Sequence, residues 1–93
     1  MNVHYTCQAE TDIDIAMGWY ESQRQGLGFE FLDCLEEAVN RILESPKLYS
    51  TKHKRLRGAL IRRFPFTVFY SIEKTVIVVH AVFDNRQDPE KKP

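Results

Sequence analysis

Arg62-Arg63-Phe64-Pro65-Phe66-Thr67-Val68-Phe69-Tyr70-Ser71-Ile72 reads as a basic turn followed by a strand, and it decides the fold. Pro65 has no N–H to give to a ladder, so it belongs in a turn or on an edge. Phe66 to Ile72 is β-branched and aromatic, a composition that suits a pleated, half-buried surface. Upstream, Lys54 to Arg63 alternates in character and predicts a strand leading into the turn. Downstream, Glu73, Lys74 and Thr75 form a short hairpin turn into Val76–Phe83. That last run is apolar on both faces, as expected of a buried strand.

The N-terminal half changes period. Val3, Tyr5 and Cys7 alternate with His4 and Thr6, the signature of a short strand. A helix is predicted from about Thr11, with Asp12 and Asp14 in its first turn to complement the dipole. Ile13, Ala16, Met17 and Tyr20 recur at helical spacing and should face the core. Gln25 to Gly28 breaks the pattern, with two glycines available for a cap and tight turn. A second helix then carries Leu32, Leu35, Val39 and Ile42 on one stripe, widened by Phe31, Ala38 and Leu43. Pro46 ends it. The expected architecture is α+β, in the order β-α-α-β-β-β: a two-helix hairpin packed on a small, largely antiparallel sheet. One domain spans residues 1–93, and only Glu90 to Pro93 reads as a frayed tail.

A formal net charge of zero hides a segregated distribution. Met1 to Glu44 holds nine acids against Arg24 and Arg41, whereas Ser45 to Ile72 holds seven Lys or Arg and no acid. A protein that coats nucleic acid is normally basic throughout. This pattern argues instead for a focused basic surface, or for a plain solvated strand face. Arg62 and Arg63 end the basic strand, and Lys52, Lys54, Arg55 and Arg57 extend it. Strand alternation places Arg55, Arg57 and Arg63 on one face and Lys54 and Arg62 on the other. Arginine suits phosphate because its planar fork donates two parallel hydrogen bonds. Tyr70 can stack on a base or bond phosphate, or else be a half-buried strand tyrosine.

Other titratable residues point to little chemistry. His53 is the histidine inside the basic region and could move a proton near neutral pH, although a loop histidine without partners is the commoner reading. His80 and His4 read as packed or bland strand residues. Trp19 and Tyr20 read as core and helix–helix contacts, and Asp12, Asp14, Glu36 and Glu37 as a solvated helix face. Cys7 and Cys34 show no metal or redox spacing, which suggests reduced, mostly buried thiols in the cytoplasm. No Gly-rich phosphate loop, zinc pattern or nucleophile elbow is present, so neither a cofactor nor a metal is expected. The apolar run Val76–Phe83 contains His80 and is far too short for a membrane span.

Several pieces in order resemble the RelE/ParE family of small bacterial toxins from type II toxin–antitoxin modules. They are Trp19, Tyr20, Glu21 and Gln23; Gly26, Leu27 and Gly28; then Phe31, Leu32, Leu35, Glu36 and Ala38. Ser45-Pro46 and Tyr49 follow, then the basic hairpin, and finally Val82, Phe83, Arg86, Asp88 and Pro89. The resemblance implies a toxin held silent by a cognate antitoxin, a small protein partly disordered alone, in a hetero-oligomer. It also implies a functional arginine at Arg86.

Two activities occur in the family. ParE-like members of the plasmid-stabilisation type bind and trap DNA gyrase. RelE-like members cut messenger RNA on the ribosome, which requires acid–base groups and cations around phosphate. For the second, the candidates are His53, Lys52, Lys54, Arg62 and Arg86. For target or phosphate binding they are Arg55, Arg57, Arg62, Arg63, Tyr70 and Arg86. Many relatives have a histidine where Asp84 stands, and a carboxylate there disfavours RNA phosphate. The resemblance therefore favours gyrase inhibition, with ribosome-dependent cleavage or an inactive antitoxin-binding relative as alternatives. On the antitoxin, apolar side chains and acids near the arginines are expected.

Overall fold

The computed structural model describes residues 1–93 apart from the side chain of His53. The chain runs through β1 (Asn2–Tyr5), α1 (Cys7–Gln23), α2 (Leu27–Glu44), β2 (Thr51–His53), β3 (Leu56–Leu60), β4 (Phe66–Glu73) and β5 (Val76–Asp84), ending in a 3-10 turn (Pro89–Lys91). The strands lie in the order β1-β5-β4-β3-β2. β1 runs parallel to β5, and the other pairs are antiparallel. The α+β architecture expected from the sequence is present, with both helices on one face of the sheet.

That face is set by alternation. Val3 and Tyr5 of β1, Phe66, Val68, Tyr70 and Ile72 of β4, and Ile77, Val79 and Val82 of β5 pack with Ala16, Tyr20, Phe31, Leu35 and Ile42 of the helices. Each large side chain buried there contributes about 1.5–3 kcal/mol. Tyr20, Phe31, Phe64 and Phe66 form its aromatic end, with ring centroids 4.8 Å apart for Tyr20–Phe64 and 5.1 Å for Phe31–Phe66. The register shifts between Phe69 and Tyr70, leaving His80 as the extra residue of a bulge on β5, where the β5 alternation changes phase. A smaller cluster of Phe69, Ala81 and Phe83 occupies the other sheet face.

α1 begins at Cys7, not near Thr11. Thr6 is its cap: the Thr6 Oγ1 accepts the Ala9 amide at 3.1 Å and donates to the His80 carbonyl at 3.1 Å. Cys7 is consequently an exposed first-turn residue, whereas Cys34 is buried as expected. The two helices meet at Gly26, whose φ of 89° only glycine adopts without strain. Gly26 offers no capping side chain. Glu21 supplies one from α1, its carboxylate accepting the Gly26 amide at 2.9 Å and the Gly28 amide at 3.0 Å. A Cβ on Gly28 would lie 2.8 Å from the Met17 carbonyl, so the crossing needs a glycine there.

The basic strand is also different from its expected form. Lys54 to Arg63 is interrupted, because β2 and β3 make a hairpin with Lys54 and Arg55 as its two-residue loop. Both loop residues have positive φ, 48° and 70°, the sign pattern of a type I′ turn. Arg62 and Arg63 lie beyond β3, in the turn before β4, and Arg63 has a φ of 73°. The alternation of basic residues over two strand faces therefore does not exist. At the C-terminus, Asp88 caps the 3-10 turn Pro89–Lys91, accepting the Glu90 amide at 3.0 Å.

Candidate functional site: the arginine-rich end of the sheet

The turn between β3 and β4 is anchored from inside. Phe64 and Phe66 point into the aromatic end of the core, and the Ile61 amide bonds the Phe66 carbonyl at 2.9 Å. The Asn85 amide donates to the Pro65 carbonyl at 2.7 Å, which ties the segment after β5 to the same turn. Arg62, Arg63 and Arg86 are thereby gathered at one end of the sheet, beside the helical hairpin.

Their partners distinguish them. Arg63 and Arg24 share the Glu30 carboxylate, at 2.8 and 3.0 Å, and the Arg63 guanidinium sits 5.8 Å from the Phe64 ring centroid. The hydrogen bonds from Arg63 and Arg24 hold the Glu30 carboxyl below its ordinary range. Arg86 is bound bidentately by Asp84, through Nε at 2.9 Å and a terminal nitrogen at 2.8 Å, with its own amide on the same carboxylate. Those hydrogen bonds depress the Asp84 carboxyl as well. Arg62 is exposed and makes no ion pair among the described residues.

The remaining candidates lie elsewhere. Lys54 and Arg55 are exposed at the β2–β3 loop, at the opposite end of β3 from Arg62, roughly 20 Å away at ~3.3 Å per extended residue. The Lys52 stem lies over Gly58, in a groove on the sheet face away from the helices that also holds Asn85 and Lys92. The side chain of His53 lies outside the described residues. Two expected surface residues are structural instead. Tyr70 has no exposed surface, and its hydroxyl donates to the Pro46 carbonyl at 2.6 Å, so it cannot stack on a base. Arg57 pairs with Tyr70 across the ladder and spends its guanidinium on the Lys47 and Tyr49 carbonyls, at 3.2 and 2.5 Å. Together they hold down the connection between α2 and β2.

An open groove of about 200 Å³ lies between α1 and the end of β5. Asp12, Ile15, Trp19, Phe66, Asp84 and Arg86 line it. Trp19 was expected in the core, yet it is 54% exposed, and Ile15 one turn earlier is 67% exposed. Asp12 is not merely solvated: its Oδ2 accepts the Val82 amide at 3.0 Å and so joins α1 to β5. Among the described residues, no group of three or more His, Cys, Asp or Glu side chains is placed to hold a metal. Nor is any helix among the described residues long and apolar enough to cross a membrane.

The sequence model of the ParE toxin of the type II toxin–antitoxin system, parDE, matches residues 3–89. The chain belongs to the ParE toxin family. A solved chain described as the chromosomal ParDE TA system from P. aeruginosa shares the fold, with a TM-score of 0.77 at 15% identity. The superposition covers 90% of this chain and 95% of that one. A search of curated proteins returns no match.

As a ParE-type toxin of a type II module, the chain presents features that sequence reasoning missed. Glu21 was visible only as part of a family motif, although it lies five residues before an uncapped Gly26. Ile15 and Trp19 stand i, i+4 on α1 but off the Ala9–Ile13–Ala16–Tyr20 stripe, which was the available sign that α1 has a second apolar face. The Glu30–Arg63 pair spans 33 residues and has no local signature.

Proposed function

We propose that this ParE-type toxin acts in the bacterial cytoplasm by binding DNA gyrase and trapping it, without cleaving RNA, and that a cognate antitoxin keeps it silent. The match to the ParE toxin model over residues 3–89 carries this reading. The geometry supports it in a second way. RNA cleavage needs a base, cations on the phosphorane oxygens and an acid within reach of one phosphate. Here Lys54 is separated from Arg62 by the length of β3, and Arg86 is already occupied by Asp84. A fixed arginine-rich rim on an aromatic anchor suits a docking surface, in which Arg62 is the side chain with its donors available.

Inducible expression of the chain without its antitoxin tests the reading. DNA-damage signalling with translation initially intact is the expected outcome, and Arg62→Ala should weaken it while leaving the circular dichroism spectrum unchanged. A halt of protein synthesis within minutes, with messenger RNA cut inside codons, would replace the proposal by the nuclease reading. Neither response would indicate an inactive relative.

A further inference from the structure

We propose that the groove on the sheet face away from the helices binds a small phosphate monoester whose organic part is a flat apolar group. The groove has a volume of about 310 Å³. That is the lower end of the range of about 300–1,000 Å³ found for small-molecule sites. Its floor is the second apolar cluster, in which the Phe69 and Phe83 rings meet edge to face with centroids 6.2 Å apart. Leu60, 67% exposed, and Pro89 extend this apolar surface. A ring or short hydrocarbon lying there is removed from water together with the leucine.

Gly58 shapes the groove. It lies inside β3 without a positive φ, so no turn requires a glycine there. A Cβ at this position would stand 2.7 Å from the Lys52 Cγ and 3.1 Å from the Thr67 Cγ2. The bare backbone lets the Lys52 side chain lie across β3 and line the groove. A glycine inside a strand often marks such a close approach by a ligand or another segment.

Charge decides the ligand. Lys52 and Lys92 both line the groove, and no Asp or Glu does. Neither lysine has an ion-pair partner among the described residues. Of the acids close by in sequence, Asp84 is held by Arg86 and Asp88 by the Glu90 amide. The Thr67 hydroxyl donates to the Asn85 Oδ1 at 2.8 Å, so the Asn85 amide nitrogen is the end left for a ligand. Two cations and a fixed amide suit an oxyanion with a charge near −2, which a phosphate monoester carries at about pH 7. A monocarboxylate would satisfy one lysine and leave the other.

Titration of the purified full chain with phenyl phosphate, followed by amide NMR spectra, tests the proposal. Saturable shifts of the Gly58 backbone amide and the Asn85 side-chain amide are expected, with the Trp19 indole, across the sheet, unmoved. Inorganic phosphate lacks the ring, benzyl alcohol lacks the charge and benzoate carries a single charge, so each should bind more weakly. Lys52→Met and Lys92→Met keep the apolar stems and should each weaken phenyl phosphate by about fivefold, the scale of an exposed ion pair. Lys74→Met, at the far end of β4, should bind as the parent does. Absence of saturable shifts would overturn the proposal, as would equal or tighter binding of any of the three comparison probes. Unchanged affinity in both groove-lysine variants would do the same. An RNA trinucleotide that moves Gly58 and Asn85 while phenyl phosphate does not would also overturn it, and would assign the groove to nucleic acid.

Discussion

Replacing Glu21 by alanine should destabilise the fold by about 2–3 kcal/mol, although Glu21 lies outside the buried core. α2 starts at a glycine in the left-handed region, so no side chain at the cap position can accept the orphan amides of its first turn. The Glu21 carboxylate accepts two of them, from Gly26 and Gly28. Hydrogen bonds to a charged group are worth about 1.5–3 kcal/mol each when well shielded. These are only partly buried, so each is set near the lower end or below it. A negative charge at a helix N-terminus adds about 0.3–1 kcal/mol through the dipole. Glu21→Gln keeps one acceptor oxygen but loses the charge, and should cost about half as much. At roughly 4–8 °C per kcal/mol for a domain of this size, Glu21→Ala should lower the melting temperature by about 10 °C or more. Urea titrations of both variants give the free energies directly. A loss below about 0.5 kcal/mol for Glu21→Ala would show that water caps α2 equally well, and would refute the tie between the helices.

Four further outcomes are expected. Lys54→Asn combined with Arg55→Gly should raise stability by about 1–2 kcal/mol, because both positions have positive φ; an unchanged urea midpoint would contradict that geometry. Tyr70→Phe should cost about 1 kcal/mol and speed amide exchange in the Lys47–Ser50 connection, since it removes the bond to the Pro46 carbonyl. Phe31→Ala should cost about 3–5 kcal/mol, as Phe31 is fully buried among Tyr20, Phe64 and Phe66, and chemical denaturation measures it. Asp84 and Glu30 have folded-state values depressed by their arginines. Their stabilisation is complete above the unfolded carboxylate value of about 4, and is lost as pH falls through the lower folded values. Asp84→Asn with Glu30→Gln should therefore flatten the fall in urea midpoint below about pH 4; an identical slope would remove these pairs from the acid response.

Local periodicity made the β4–β5 hairpin and the α2 stripe legible, because each buries one consistent set of side chains. It misled at α1. The β pattern of Val3 and Tyr5 continues through Cys7, and the signal that stops it is a single capping hydroxyl on Thr6. The Lys54–Arg55 loop was hidden for a related reason, since neither residue is one that favours positive φ, and the pairing of β2 with β3 overrides their preference. Within the candidate site, Arg62 and Arg86 could be chosen from the turn and from family resemblance. Which arginines were already engaged could not, because Glu30 and the Lys47–Tyr49 carbonyls come from distant segments. Tyr70 shows the same gap: its hydroxyl finds an acceptor beyond the end of α2, so full burial costs it little.

Gyrase supercoiling and DNA cleavage, assayed with the purified chain refolded free of antitoxin, test the central claim most directly. Loss of supercoiling together with accumulation of cleaved DNA is the result expected, with a weaker effect from Arg62→Ala. Undiminished supercoiling at a large excess of folded protein would contradict it.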